Sequence, residues 1–232
     1  MEAGSIITDA GVVRQAGSGI GAGARAVAPI GVAVLAFGAS FGILARDAGM
    51  GVAAPIVMSF TTFAGSAQFA VASVLGSGGA VAAGVAAAVM LNLRYLAVGV
   101  SVAPALRGST VRRLAEAQLA VDESWAIAQE DGRVDRDLLV GAGIVLALCW
   151  CAGTVAGVLG GSALGDPADY GLDAMFPALF LALLAGQLGA RRTRAAALAG
   201  GAIALALTPL APPGIPIVAA AAGALIALRV RP

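Results

Sequence analysis

The sequence predicts an all-α fold, a polytopic transmembrane helical bundle of six or seven segments. Three observations predict it. Hydrophobic residues make up 59% of the 232 positions and charged residues only 12%, where a soluble domain carries about 25% charge. The charges are also clustered: windows Ala26–Ala45, Ala48–Leu93, Leu138–Gly165, Ala174–Ala190 and Ala195–Leu228 hold none. A membrane helix needs about 20 apolar residues, so each window fits one pass or two. Finally, the chain lacks the alternating segments of about ten residues that build a membrane barrel.

The elements follow in chain order. Residues 1–25 are Gly- and Ala-rich, carry scattered charges, lack the order of a signal peptide and read as a flexible tail. Residues 26–232 read as a single transport domain. Segment one is about Pro29–Ala45, with Pro29 suited to a first helical turn and Gly31, Gly38 and Gly42 thinning one side. Segment two runs over about Val52–Leu75 and is expected to break near Gly65-Ser66, where small and polar residues crowd its centre. Gly76-Ser77-Gly78-Gly79 is a turn, and segment three is Ala80–Leu106. A polar cytoplasmic stretch, 107–137, carries a helical stripe of Leu114, Ala117, Val121, Trp125 and Ala128. Segment four is about Leu138–Gly160 and segment five about Ala174–Ala190, closed by Arg191, Arg192 and Arg194. The last window folds as a hairpin about the proline-rich run Pro209–Pro216.

Arginine placement after segments three and five and at the C-terminus makes those regions cytoplasmic. Two topologies satisfy this. Seven spans put the N-terminus outside; six, with segment two re-entrant, put it inside beside Arg14 and Arg25.

Composition narrows the function. A net charge of +1 gives no nucleic-acid partner. All 14 cationic side chains are arginine. Without histidine or lysine, a metal hydrolase and a Ser–Lys nucleophile are excluded. No phosphate-binding G-x-x-x-x-G-K-[ST] pattern occurs. No metal or cofactor is expected. Cys149 and Cys151 point to different faces of a helix and read as small buried hydrophobes.

Four constellations remain. Ser59, Thr61, Thr62, Gly65, Ser66 and Gln68 sit at the expected break. A half-helix N-terminus there offers N–H groups and a positive dipole end to an anion; ordinary helix packing is the alternative. Asn92 and Arg94 lie inside segment three. A central arginine costs about 2.5–3.5 kcal/mol on insertion, so Arg94 either clamps a carboxylate or joins a structural ion pair. Asp122 and Glu123, in the polar stretch, either form a solvated face or fold back to Arg94 and take a proton during transport. Asp173 reads as the N-cap of segment five.

In this order, the constellations resemble the AzlC family, branched-chain amino-acid permeases named for azaleucine resistance. The likeness rests on Pro29, Phe37-Gly38 and Phe41-Gly42; on Ser59 with the run Phe63 to Phe69; on Asn92-Leu93-Arg94-Tyr95; on Asp122-Glu123-Ser124; and on Leu172-Asp173 to Phe180. It implies export of valine, leucine, isoleucine or analogues across a bacterial inner membrane, with a small second membrane subunit of the AzlD type. A zwitterionic substrate needs one site for its carboxylate, at Arg94 or the Gly65-Ser66 helix end. It needs another for its ammonium, at Asn92, Asp122 or backbone carbonyls, and Phe63, Phe69 and Met90 are candidates to line an aliphatic pocket. Coupling to the proton gradient is the expected energy source. A non-transporting membrane scaffold or channel-like subunit is the alternative.

Overall fold

The computed structural model describes residues 19–130, 133–161, 191–212 and 215–223, with residues 181, 184, 185, 188 and 189. Two helices are long and apolar enough to cross a membrane, α1 (Ile20–Asp47) and α8 (Arg136–Gly160). At 1.5 Å per residue they extend about 42 and 38 Å, beyond a core of about 30 Å. Between them lie α2 (Ala53–Thr61), α3 (Gly65–Gly76), α4 (Val81–Asn92), α5 (Arg94–Val102), α6 (Thr110–Ala117), α7 (Asp122–Ile127) and a minimal hairpin of β1 (Gln129–Glu130) and β2 (Arg133–Val134). After α8 come α9 (Arg191–Leu207) and α10 (Ile215–Ala220). The pair α4 and α5, bent by 42° at Leu93, passes as a third span if taken together. Segment five and the Asp173 cap fall almost wholly outside the described residues.

The described residues fall into two compact units interleaved in sequence. One takes the chain up to Ala36 and Arg94–Ala152; the other takes Phe37–Leu93 and the chain from Gly153 onward.

In the first unit, the start of α1 packs backbone to backbone on α8. A Cβ on Gly23 or Gly141 would collide with the carbonyl of Leu138 or Ile20, respectively. This contact explains two departures from expectation. The helix begins at Ile20, inside the stretch read as a tail, because packing on α8 outweighs glycine's low helix propensity. Pro29 consequently lies inside α1 instead of opening it. Gly31 faces Cys149, whose Sγ lies 3.2 Å from where a Cβ would stand. A core of Ala22, Val102, Leu106, Ala128, Leu138 and Leu139 closes the unit.

The polar stretch differs from a single amphipathic helix. It forms two short helices because Ser124 holds a tight turn between them. Its Oγ accepts from Val121 N–H at 2.9 Å and donates to Leu119 O at 2.7 Å. Nearby, Glu116 joins α6 to α8. It accepts from Arg112 Nε and Arg136 Nε, each at 2.8 Å, and is also held by Arg136 Nη2. The hydrogen bond from Arg136 is the main reason its pKa falls to about 2, opposed by burial and reinforced by Arg112.

In the second unit, the end of α1 meets the end of α8. A Cβ on Gly42 would come within 2.5 Å of Thr154 O. Helix α3 packs on α4, where Gly84 lies against Val71. The expected turn at residues 76–79 is present, with Gly78 at φ +79°. Phe69 is buried and meets Phe41 edge-on, with centroids 5.7 Å apart. Helices α9 and α10 form the expected hairpin, with Gly223 against Gly200. Arg191, Arg192 and Arg194 head α9, where they had been expected to close the preceding segment.

Candidate functional site: two interrupted helices

Segment two breaks over Thr62, Phe63 and Ala64, directly before Gly65. Phe63 takes φ +41°, a left-handed conformation rare for a bulky residue, and remains buried. Gln68, fully buried in the first turn of α3, stabilises this backbone. Its Oε1 accepts from Ala64 N–H at 3.3 Å and its Nε2 donates to Ser59 Oγ at 2.8 Å. Ser59 Oγ shares a 2.9 Å hydrogen bond with Thr154 Oγ1 of α8. One amide thus links both half-helices and, through Ser59, a third helix. Ser59, Ser66 and Thr154 are buried; Gly65 is half-buried and Thr62 exposed. Ala64 offers no side-chain cap, and the positive end of the α3 dipole lies at the break.

Segment three breaks at Leu93. Asn92 ends α4, and its buried Oδ1 has no hydrogen-bond partner among the described residues. Arg94 opens α5. Its Nη2 lies 2.9 Å from Asp122 Oδ2, and both side chains are more than a third exposed. The guanidinium also stands 5.1 Å from the Tyr95 ring centroid and donates to Tyr95 OH at 3.4 Å. Asp122 and Glu123 occupy the first turn of α7, where the helix dipole favours negative charge. A second tie joins α7 to α5: Trp125 Nε1 donates to Ser101 Oγ at 2.7 Å. Glu123 forms no ion pair among the described residues. Although its side chain is open, the dense protein around it disfavours the charged form and raises its pKa; neighbouring Asp122 adds to this rise, while a backbone hydrogen bond and Arg94 oppose it.

The structure therefore brings Ser59 together with Gln68, and Arg94 with Asp122. It leaves Thr62 outward and Glu123 unpaired in that sense. The sequence reading missed Thr154, Ser101 and the Glu116 cluster. A lone threonine inside an otherwise apolar helix was the available signal for Thr154.

Helices long enough to cross a bilayer, with a bent pair carrying an arginine at the bend, define a helical membrane protein with polar groups at its helix breaks. The AzlC protein family matches residues 29–164, more than half of the chain, and the chain belongs to that family. A relative from Archaeoglobus fulgidus, named only as a membrane protein, is 33% identical over 83% of this chain and 86% of its own. The "Branched-chain amino acid transport protein AzlC" of Bacillus subtilis is 29% identical over 77% of this chain and 71% of its own. The "Inner membrane protein YgaZ" of Escherichia coli is 26% identical over 67% and 68%. No solved structure matches.

Proposed function

We propose that this chain is a proton-coupled secondary transporter that exports branched-chain amino acids across an inner membrane, working with a small AzlD-type subunit. The observation that carries the reading is the Arg94–Asp122 pair at a helix break. An amino acid is a zwitterion, and this pair is its charge complement. When the pair opens, Arg94 receives the carboxylate in bidentate fashion and Asp122 receives the ammonium, so neither charge is left unpaired. Membership of a family with a relative named for branched-chain amino-acid transport supports the substrate class.

Glu123, an exposed carboxylate next to Asp122 in the first turn of α7, is the group we assign to the coupling proton. The α3 N-terminus at Gly65-Ser66 is a second anion-receptive point. Gln68 and Ser59 hold the break in shape, and Thr62 presents an exposed hydroxyl beside it. The buried Oδ1 of Asn92, without a partner among the described residues, is an acceptor suited to an ammonium or a water.

Counterflow of labelled leucine into proteoliposomes, with and without the co-expressed small subunit, tests the reading. Saturable uptake that depends on internal leucine and on the pH gradient is expected. A linear, unsaturable leak would leave a channel-like subunit or scaffold instead.

A further inference from the structure

A cavity of about 480 Å³ lies between α5 and α6 within the first unit. Val98, Val102 and Leu106 wall one side, and Leu114 and Ala117 the other. Gly99 and Ala103 are too small to close the gap. The groove is open along one side, where Leu114 is largely exposed. Its lining offers water few partners.

The polar side chains of the lining are Tyr95, Thr110 and Arg113, of which Arg113 alone is a cation. Arg113 is exposed and has no ion-pair partner among the described residues, whereas Arg112, on the same helix, is committed to Glu116. Helix α6 also exposes Val111 (78%) and Leu114 (66%). Exposed aliphatic side chains beside arginines mark a helix lying in the headgroup region of a bilayer. An apolar slot beside a membrane segment, with a single cation in its lining, complements a hydrocarbon chain attached to an anion.

We infer that this cavity is a binding site for one anionic phospholipid, with an acyl chain between α5 and α6 and the phosphate on Arg113. The lipid fastens α6 to α5, much as Asp122 and Trp125 fasten α7.

The purified full-length chain in detergent, titrated with phosphatidylglycerol or phosphatidylcholine and read by native mass spectrometry, tests this. One phosphatidylglycerol is expected to be retained about tenfold more tightly than phosphatidylcholine. Arg113→Gln should abolish that preference, and Arg133→Gln, at an exposed arginine away from the cavity, should preserve it. Ala103→Phe should fill the slot and weaken retention of both lipids; Ala117→Leu serves if that variant misfolds. Equal retention of the two lipids, a preference that survives Arg113→Gln, or displacement by soluble glycerol phosphate or leucine would overturn the site.

Discussion

The two helix breaks are built on opposite principles. At Thr62–Ala64 the polar groups are buried and bonded to one another, with Gln68 joining Ala64, Ser59 and, beyond it, Thr154. At Leu93 the polar groups are half-open: Arg94 pairs with the partly exposed Asp122, and Asn92 Oδ1 has no partner among the described residues. Irregular backbone at membrane depth survives only where protein or a polar cavity covers it. The first break meets that requirement with its own side chains and the second leaves it partly unmet. A closed network favours fixed geometry, and an open ion pair favours exchange of partners.

The largest expected effect comes from the open break. Arg94→Ala should lower export about a hundredfold or more with insertion intact, measured as leucine efflux from proteoliposomes. The swap Arg94→Asp with Asp122→Arg sharpens the point. A purely structural pair would recover efflux on swapping; a substrate clamp would not, because the exchanged charges sit on different helices and meet the zwitterion in reverse.

Next comes the closed break. Gln68→Ala strands the Ala64 N–H and a Ser59 hydrogen bond, at about 1–3 kcal/mol for each buried group left unpaired. Thermal unfolding in detergent should show the loss, together with loss of export. A fully stable variant without export would move Gln68 from scaffold to substrate contact and erase the contrast.

A smaller effect is expected at Glu116, whose folded pKa of about 2 lies below its ordinary 4.5. A depressed carboxylate stabilises the fold fully above its unfolded pKa. That contribution fades as pH falls from about 4.5 through 2. Melting temperature should therefore drop over this acid window in wild type and drop less in Glu116→Gln, which loses about 1.5–3 kcal/mol at neutral pH. Identical acid profiles would show that Glu116 does not clamp α6 to α8. Smallest of all is Thr62→Ala, which should stay within about 0.5 kcal/mol of wild-type stability as an exposed substitution. A rise in the half-saturating leucine concentration would place this hydroxyl at the substrate.

The two long membrane helices and the interruption of segment two were legible because they follow from local composition. The position of the break was nearly so: Gly65 starts the second half-helix, but the bend itself falls on Phe63, a residue type that does not announce a left-handed turn. Pro29 misled because a proline tolerated within α1 looks the same in sequence as one that opens a helix. The division of the polar stretch was hidden in Ser124, since a hydroxyl that captures backbone groups resembles any other polar residue on a helix. Glu116 and Arg136 pair across a long sequence separation, and no periodicity encodes that. Asp122 stood out as a partner for Arg94 because segment three offers no acid of its own.

The indole of Trp125 has a spectroscopic consequence. The chain contains two tryptophans, so Trp150→Phe leaves a single emitter on the helix that carries Asp122. Its N–H is bonded to Ser101, on the helix that begins with Arg94. Any movement that parts the charged pair by lifting α7 also alters the polarity around that ring. The emission maximum then becomes an internal gauge of that movement, readable in real time without an attached dye.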